Sequence, residues 1–144
     1  MKFCVDIGGV ISKYPEQFRQ LLQTLQKDGH TVYILTDMHK RDEVLEMLTV
    51  NDFGFIEHSN VYCADYQKYG EFAKARILKQ LGIDIFVDDF VGYLTWDSSL
   101  GPAPIRLLVA PNGFMPYWHN DWKVRENLDF GRRVTTIEAL LKED

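Results

Sequence analysis

The sequence predicts an α/β fold, a three-layer sandwich around a mostly parallel sheet of about five strands. Short apolar runs rich in β-branched and aromatic residues alternate with segments whose apolar residues recur at helical spacing. Strands that alternate with helices in this way form a parallel sheet with helices on both faces. The chain has 144 residues, of which 46% are hydrophobic, and this is enough for one core. We therefore expect a single domain over residues 1–144.

The first half of the chain contains two predicted pairs of strand and helix. A short apolar run stops at Gly8-Gly9 and predicts a buried strand, and a helical stretch follows between Pro15 and Gly29. A second β-branched and aromatic run leads into another helical stretch. The predicted elements are a strand at Lys2 to Asp6, a helix at Pro15 to Lys27, a strand at Thr31 to Leu35, and a helix at about Lys40 to Leu48.

The second half of the chain repeats the alternation before the pattern becomes looser. Gly82 directly follows a helical stretch and predicts the end of that helix. Past Leu94 we expect a loop rich in Gly and Pro, one further strand, an aromatic loop, and a last helix opened by Thr135 or Thr136. The predicted elements are a strand at Asn60 to Ala64, a helix at about Glu71 to Leu81, a strand at Ile83 to Val87, and a strand at Ile105 to Ala110.

Composition restricts the function classes that need consideration. A formal charge of -5 disfavours a general nucleic-acid-binding protein, because affinity for phosphate backbones depends on clustered Lys and Arg. Cys4 and Cys63 are far apart and outside any C-x-x-C pair, which indicates neither a disulfide framework nor a zinc ribbon. The chain contains no apolar stretch near the ~20 residues of a membrane span, and its first apolar run is too short for a signal sequence. We expect a cytoplasmic protein without a membrane partner.

Polar residues follow three of the predicted strands. They are Asp6, Thr36 and the pair Asp88-Asp89. In open parallel sheets, ligands bind at the carboxyl ends of the strands, so these side chains are candidates for one site. A single Asp at a strand end is common as a turn or cap residue, but clustered carboxylates repel one another unless they share a hard cation. The pattern predicts a Mg²⁺ site that also attracts an anionic phosphoryl group.

The same strand ends carry three short motifs. Residues Phe3 to Val10 read FCVDIGGV, Val32 to Thr36 read VYILT, and Ile85 to Asp89 read IFVDD. In this order they resemble the first, second and fourth motifs of the haloacid-dehalogenase-like (HAD) superfamily, whose first motif is D-x-D-x-[TV]. The third motif of that family is a Lys in or near the helix before the fourth. Lys74 fits that place best, and Lys68 is the alternative.

The resemblance implies a Rossmann-like fold and phosphoryl-transfer chemistry. Asp6 would be the nucleophile that becomes an aspartyl phosphate, with Thr36 and Lys74 holding the phosphoryl oxygens. Backbone amides of the turn would add donors, as they do in other anion sites. The implied ligands of Mg²⁺ are Asp6, the main-chain carbonyl of Gly8, Asp88 and Asp89. The implied phosphate-binding residues are Ile7, Gly8, Gly9, Thr36 and Lys74. The structural alternatives are that Thr36 only caps the next helix and that Lys74 is a solvated helix residue.

Gly8 departs from the family pattern. In the family an Asp at this position protonates the leaving group and later activates water, and glycine has no side chain for either step. Loss of a general acid or base typically costs on the order of 10² to 10⁴ in rate. A magnesium site suffers less, because the implied ligand is a main-chain carbonyl. Three alternatives remain open: a phosphatase that uses another acid such as Asp37 or the substrate itself, a hydrolase of C–X or C–P bonds, and a phosphate- or ligand-binding module without turnover.

The sequence has no room for a full cap domain. Helix 1 begins by about Pro15, and only Asp37 to Glu71 separate the second motif from the third. By analogy with the family, a capless site is open to a large phosphorylated substrate or is covered by a neighbouring subunit in a homo-oligomer. The aromatic segment Tyr93 to Trp122 is a candidate lid whose rings could stack on a base. We favour core or interface packing for these rings, because few Lys and Arg lie between them.

Overall fold

Five parallel strands form the centre of the molecule, and a sixth, antiparallel strand extends the sheet at one edge. The computed structural model describes residues 1–110 and 113–116. The strands are β1 (Lys2–Val5), β2 (Thr31–Thr36), β3 (Val61–Cys63), β4 (Ile85–Asp88), β5 (Ile105–Ala110) and β6 (Gly113–Pro116). Their order in the sheet is β3-β2-β1-β4-β5-β6, and β5 pairs with β6 in the antiparallel direction. The predicted α/β class with a mostly parallel sheet is confirmed, whereas β6 was not predicted.

Helices cover both faces of the sheet and complete three layers. The helices are α1 (Pro15–Lys27), α2 (Arg41–Val50), α3 (Tyr66–Tyr69), α4 (Ala73–Leu81) and α5 (Val91–Leu94). Side chains of β1 alternate between the two faces, as the pleat of a strand requires. Phe3 and Val5 pack in a cluster with α1 and α2, whereas Cys4 packs in a second cluster with α4 and α5. Each strand of the centre is therefore buried on both sides.

The chain turns to opposite sides of the sheet at β1. From β1 it proceeds through β2 to β3 on one side, and β4 and β5 lie on the other side. The register places Val5 of β1 beside Val87 of β4, and the Asp6 amide donates a hydrogen bond to the Val87 carbonyl at 3.0 Å. The boundary between β1 and β4 is thus the switch point of the sheet, where ligands bind in this architecture. Asp6 and Asp88 lie on either side of that boundary.

Most element bounds agree with the sequence analysis, and one helix does not. The bounds of α1 and β5 are those predicted, and Gly82 ends α4 in the left-handed conformation (φ 67°, ψ 43°). The predicted helix at about Glu71 to Leu81 instead consists of a 3₁₀ turn followed by α4. Gly70, with φ 60° and ψ -141°, separates this unit from α3. This conformation is open mainly to glycine, and it ends α3 at Tyr69.

The described part of the chain contains no inserted cap domain. The β1–β2 connection holds one turn and α1, and the β2–β3 connection holds α2 and short turns. No helix in residues 1–110 is long and apolar enough to cross a membrane. The helix predicted at Thr135 or Thr136 and the end of the aromatic segment, residues 117–122, lie outside the described residues.

Candidate active site

Three carboxylates meet where β1 and β4 end. Asp6 directly follows β1, Asp88 is the last residue of β4, and Asp89 comes next in the chain. One oxygen from each carboxylate lies within 4.8 Å of the others. Asp6 and Asp88 are buried, and Asp89 is half-buried. The structure therefore brings together the three acidic side chains that the sequence predicts for a metal site.

Lys74 reaches this cluster from α4, which covers one face of the sheet. It lies in the first turn of α4, and its side chain is 0% exposed. Its Nζ lies 2.9 Å from Asp6 Oδ1 and 2.7 Å from Asp88 Oδ2. The competing residue, Lys68, is exposed and packs over the ring of Tyr69. Of the two lysines considered, Lys74 is the one that reaches the carboxylates, and the reading of Lys74 as a solvated helix residue is wrong.

Burial and charge act against each other in this cluster. Burial raises the pKa of Asp6 and Asp88, and the Asp88 carboxylate raises that of Asp6 further, while Lys74 lowers both. Burial alone would lower the pKa of Lys74, but the two carboxylates outweigh it and raise that pKa. Lys74 thus stays charged in the core. Lys74 does not outweigh burial, so the pKa of both carboxyl groups stays raised. If all three carboxylates are ionised, they and the Lys74 ammonium leave two negative charges, which one divalent cation would balance.

The donor set fits Mg²⁺. The ion prefers oxygen ligands at ~2.0–2.1 Å in octahedral geometry, so ligand oxygens lie about 3 to 4 Å apart. The three carboxylate oxygens within 4.8 Å need only small side-chain adjustments to meet that spacing. Asp6, Asp88 and Asp89 would hold the ion. Gly8 lines the same cavity, and its carbonyl stays a predicted fourth ligand.

The two glycines after Asp6 occupy different environments. Gly9 has φ 73°, and a Cβ placed on it would lie 2.1 Å from Asp89 Oδ2. Gly8 has φ -66° and ψ 125°, which any residue can adopt, and a Cβ there meets no atom within 4 Å. Gly9 is therefore required for the position of the Asp89 carboxylate. Gly8 is not required by the fold.

The amides of this turn already have partners. The Gly9 amide donates to Ser12 Oγ at 2.9 Å, and the Ile7 amide hydrogen-bonds the Asp6 carboxylate. The sequence analysis assigned both amides to phosphate. In the structure Ile7 holds the carboxylate, and Gly9 would have to exchange Ser12 for a phosphoryl oxygen. The hydroxyl of Ser12 is a partner that the sequence analysis missed, and its place three residues after Gly9 is the signal that could have indicated it.

Thr36 ends β2, the strand beside β1, and is buried. Its Oγ1 accepts a hydrogen bond from the Met38 amide at 3.2 Å. The next helix, α2, has Lys40 at its N-cap position without a side-chain cap, so the structure does not support a helix-capping role for Thr36. Within residues 1–110 nothing accepts the hydroxyl hydrogen of Thr36. That hydrogen is the group a phosphoryl oxygen would need.

A cavity of about 610 Å³ opens above the carboxylates. Its lining residues are Asp6, Gly8, Asp37, Met38, His39, Tyr66, Gln67, Asp88, Asp89, Phe90 and Tyr93. The ring of Tyr93 lies over Lys74, with Nζ 4.5 Å from the ring centre, and its hydroxyl donates to Asp37 Oδ2 at 2.9 Å. By contrast Trp96, from the same aromatic segment, is buried and donates from Nε1 to the Gly101 carbonyl. Within the described part of this segment, Tyr93 thus lies in the cavity wall and Trp96 lies in the core.

Several residues of the cavity wall were not predicted. Tyr66, Gln67, His39 and Phe90 come from loops and from the short helix α3, where periodicity carries no signal. His39 is exposed and lines the cavity. Their common feature is a position within a few residues of a strand end, which was the only indication available from the sequence.

Comparison of the chain with protein-family models, with curated proteins and with solved structures finds no significant match. The functional inferences that follow accordingly rest on the geometry of the site and on the sequence motifs.

Removal of the Lys74 ammonium should destabilise the fold. Lys74→Met leaves Asp6 and Asp88 adjacent in the core without a counter-charge, and breaking a buried ion pair costs about 3–5 kcal/mol. We expect a loss of that size in the free energy of unfolding, measured by urea denaturation with EDTA present. The matched control is Lys68→Met on the surface, for which we expect a change below about 0.5 kcal/mol. Equal stability of the two variants would contradict the assigned geometry.

The two glycines should respond differently to alanine. Gly9→Ala forces a left-handed Cβ against Asp89, so we expect Mg²⁺ affinity to fall on the order of 10- to 100-fold, as when other supports of metal ligands are lost. Gly8→Ala places its methyl group in open space and should leave the affinity unchanged. Isothermal titration with Mg²⁺ measures both. A similar loss in the two variants would show that Gly9 has no special role.

Proposed function

We propose that this chain is a Mg²⁺-dependent phosphohydrolase, similar to the HAD-like superfamily, that acts on a phosphate ester through an aspartyl phosphate at Asp6. The observation that carries the proposal is the bridge from Lys74 Nζ to both Asp6 and Asp88 at the switch point of the sheet. A buried lysine between two carboxylates at a ligand-binding edge favours a reacting site over a structural ion pair.

The residues have separate tasks in the proposed reaction. An Asp6 carboxylate oxygen attacks phosphorus, the bond from phosphorus to the leaving oxygen breaks, and water later hydrolyses the acyl phosphate to release phosphate. Lys74 favours the ionised form of Asp6, although burial still raises the pKa of that carboxyl group, and it offsets charge on the phosphoryl oxygens. Thr36 supplies a neutral donor. A bound Mg²⁺ would supply the positive charge that lets an anionic phosphoryl group approach three carboxylates.

Gly8 supports a second candidate, a phosphate- or ligand-binding module without turnover. The space above Gly8 holds no atom within 4 Å of an added Cβ, so no described side chain lies next to the position where the family has its acid. The phosphohydrolase is the better-supported candidate, because simple phosphate binding has no need of a buried carboxylate facing the anion. Hydrolysis of C–X or C–P bonds has no specific observation in its favour.

We also propose a cellular compartment and binding partners for this protein. We place the reaction in the cytoplasm, on a phosphorylated substrate and without a nucleic-acid or membrane partner. Both cysteines are free, which suits a reducing compartment. The open cavity is compatible with coverage by a second copy of the chain.

The proposal is tested by phosphate release. The wild-type protein, incubated with Mg²⁺ and a panel of phosphate esters, should release phosphate, and the Asp6→Asn variant should release none above background. Mass spectrometry of acid-quenched wild-type protein should place a phosphoryl group on Asp6. Release by the wild type that does not exceed release by Asp6→Asn would refute the phosphohydrolase and leave the binding module.

An acid placed at Gly8 should raise the rate. The backbone there is ordinary and the space is open, so Gly8→Asp should fold normally and supply the missing proton carrier. A positioned general acid contributes on the order of 10² to 10⁴, which is the upper limit of the expected gain in kcat. Gly8→Asn is the matched control, with the same shape but no titratable group. If Gly8→Asn matched the gain of Gly8→Asp, proton transfer would not be its cause.

A further inference from the structure

The outer part of the cavity is acidic. Above the metal-binding carboxylates, Asp37 lines the wall, and an adjoining pocket of about 280 Å³ adds Asp65. Neither pocket is lined by a Lys or Arg among the described residues, and His39 is the one lining side chain able to carry positive charge. The Lys74 ammonium is buried and held by Asp6 and Asp88, so it does not face this region. A leaving group in the outer cavity therefore meets negative charge.

Aromatic rings stand beside these carboxylates. Tyr66, Phe90 and Tyr93 line the cavity, and Tyr93 contacts the other two rings edge to face, with centres 6.2 and 5.0 Å away. Tyr66 is 47% exposed, so part of its ring is open to a ligand. The hydrogen bond from the Tyr93 hydroxyl fixes the Asp37 carboxylate against this wall. Tyr93 is buried and its ring already lies over Lys74, so Tyr66 is the ring open to a ligand. An open aromatic ring near a carboxylate is a favourable environment for an ammonium group, through cation–π and ionic attraction together.

From this arrangement, and resting on the proposed phosphohydrolase, we infer that the substrate is a phosphate monoester whose leaving group carries an ammonium, that is, the phosphate of an amino alcohol. The phosphoryl end would lie over Asp6 and Lys74. The ammonium end would lie between Asp37 and the exposed part of the Tyr66 ring. Asp6 and Asp37 line the same cavity, which leaves room between them for the carbon chain that joins the two ends.

The negative charges of Asp37 and Asp65 also disfavour substrates with an anionic leaving group. A second phosphate or a carboxylate on the leaving group would face Asp37 and Asp65, and no Lys or Arg of residues 1–110 lines these pockets to neutralise it. Unpaired like charges lower affinity. Nucleoside diphosphates and phosphorylated hydroxy acids are disfavoured for this reason. A neutral alcohol is tolerated, but it gains nothing from the carboxylates.

Three esters of equal length test the charge preference. They are 2-aminoethyl phosphate, 2-hydroxyethyl phosphate and phosphoglycolate, each hydrolysed by water to phosphate and the free alcohol. We expect kcat/KM to be at least about tenfold higher for the amine than for the neutral ester, and lowest for phosphoglycolate, a difference of the size that one ionic contact produces. Equal values for the amine and the neutral ester, or a preference for phosphoglycolate, would overturn the inference while the phosphohydrolase stands.

Two variants test whether Asp37 causes the preference for the amine over the neutral ester. Asp37→Asn should reduce the ratio of kcat/KM for the amine over the neutral ester at least about threefold, because it removes the charge beside the rings. Asp42→Asn makes the same chemical change at an exposed position outside the cavity and should keep the wild-type ratio. An unchanged ratio in Asp37→Asn, or an equal fall in both variants, would overturn the proposed ammonium position.

The experiment also separates this inference from the proposed function. If none of the three esters releases phosphate, the phosphohydrolase fails for them. The dissociation constants of the same esters, measured by calorimetry on the wild-type protein with Mg²⁺, then decide the charge preference. Tightest binding of 2-aminoethyl phosphate would support the inference, and tighter binding of either other ester, or no binding of any of them, would overturn it.

Discussion

The buried contact of Lys74 with Asp6 and Asp88 is the interaction on which the centre of the molecule depends. It joins β1, β4 and α4, the elements that meet at the switch point of the sheet. None of the three charges would be tolerated alone in the core, because transfer of a single ion from water costs several kcal/mol. The neighbouring thiol of Cys4 illustrates how dry the region is, since burial raises its pKa far enough to keep it neutral. Cys4 therefore packs as a small apolar residue.

The parts of the fold that follow from local pattern could be predicted from the sequence. The amphipathic spacing between Pro15 and Lys27 determines α1, and the apolar run from Ile105 to Ala110 determines β5. The acidic part of the site could also be predicted, because strand direction in a parallel sheet places Asp6 and the Asp88-Asp89 pair at one edge. The choice of Lys74 over Lys68 needed the family resemblance, and the structure supplies its physical reason, which is the path of α4 across the sheet.

Features that depend on packing between distant segments could not be predicted. Strand β6 forms only because β5 offers a free edge, and its own sequence has no strand periodicity. The short helix α3 was not predicted, and its end at Gly70 depends on a backbone conformation that the helical pattern does not encode. The different roles of Gly8 and Gly9 are invisible in the sequence, because the distinction is made by the Asp89 carboxylate from another strand end. The cavity wall around Tyr66 has the same origin, since its residues come together from separate loops.

The position of Lys74 is unfavourable for its own helix and favourable for the contacts with Asp6 and Asp88. Lys74 lies in the first turn of α4, at the end of a helix where the backbone dipole already contributes partial positive charge. A cation there is unfavourable for the helix itself, and a carboxylate or a neutral residue would suit that turn better. A lysine is present in this turn of α4 because the turn brings its ammonium group to the ends of β1 and β4. The ion contacts with Asp6 and Asp88 outweigh this local cost, so replacing Lys74 would favour the isolated helix while it weakens the folded protein.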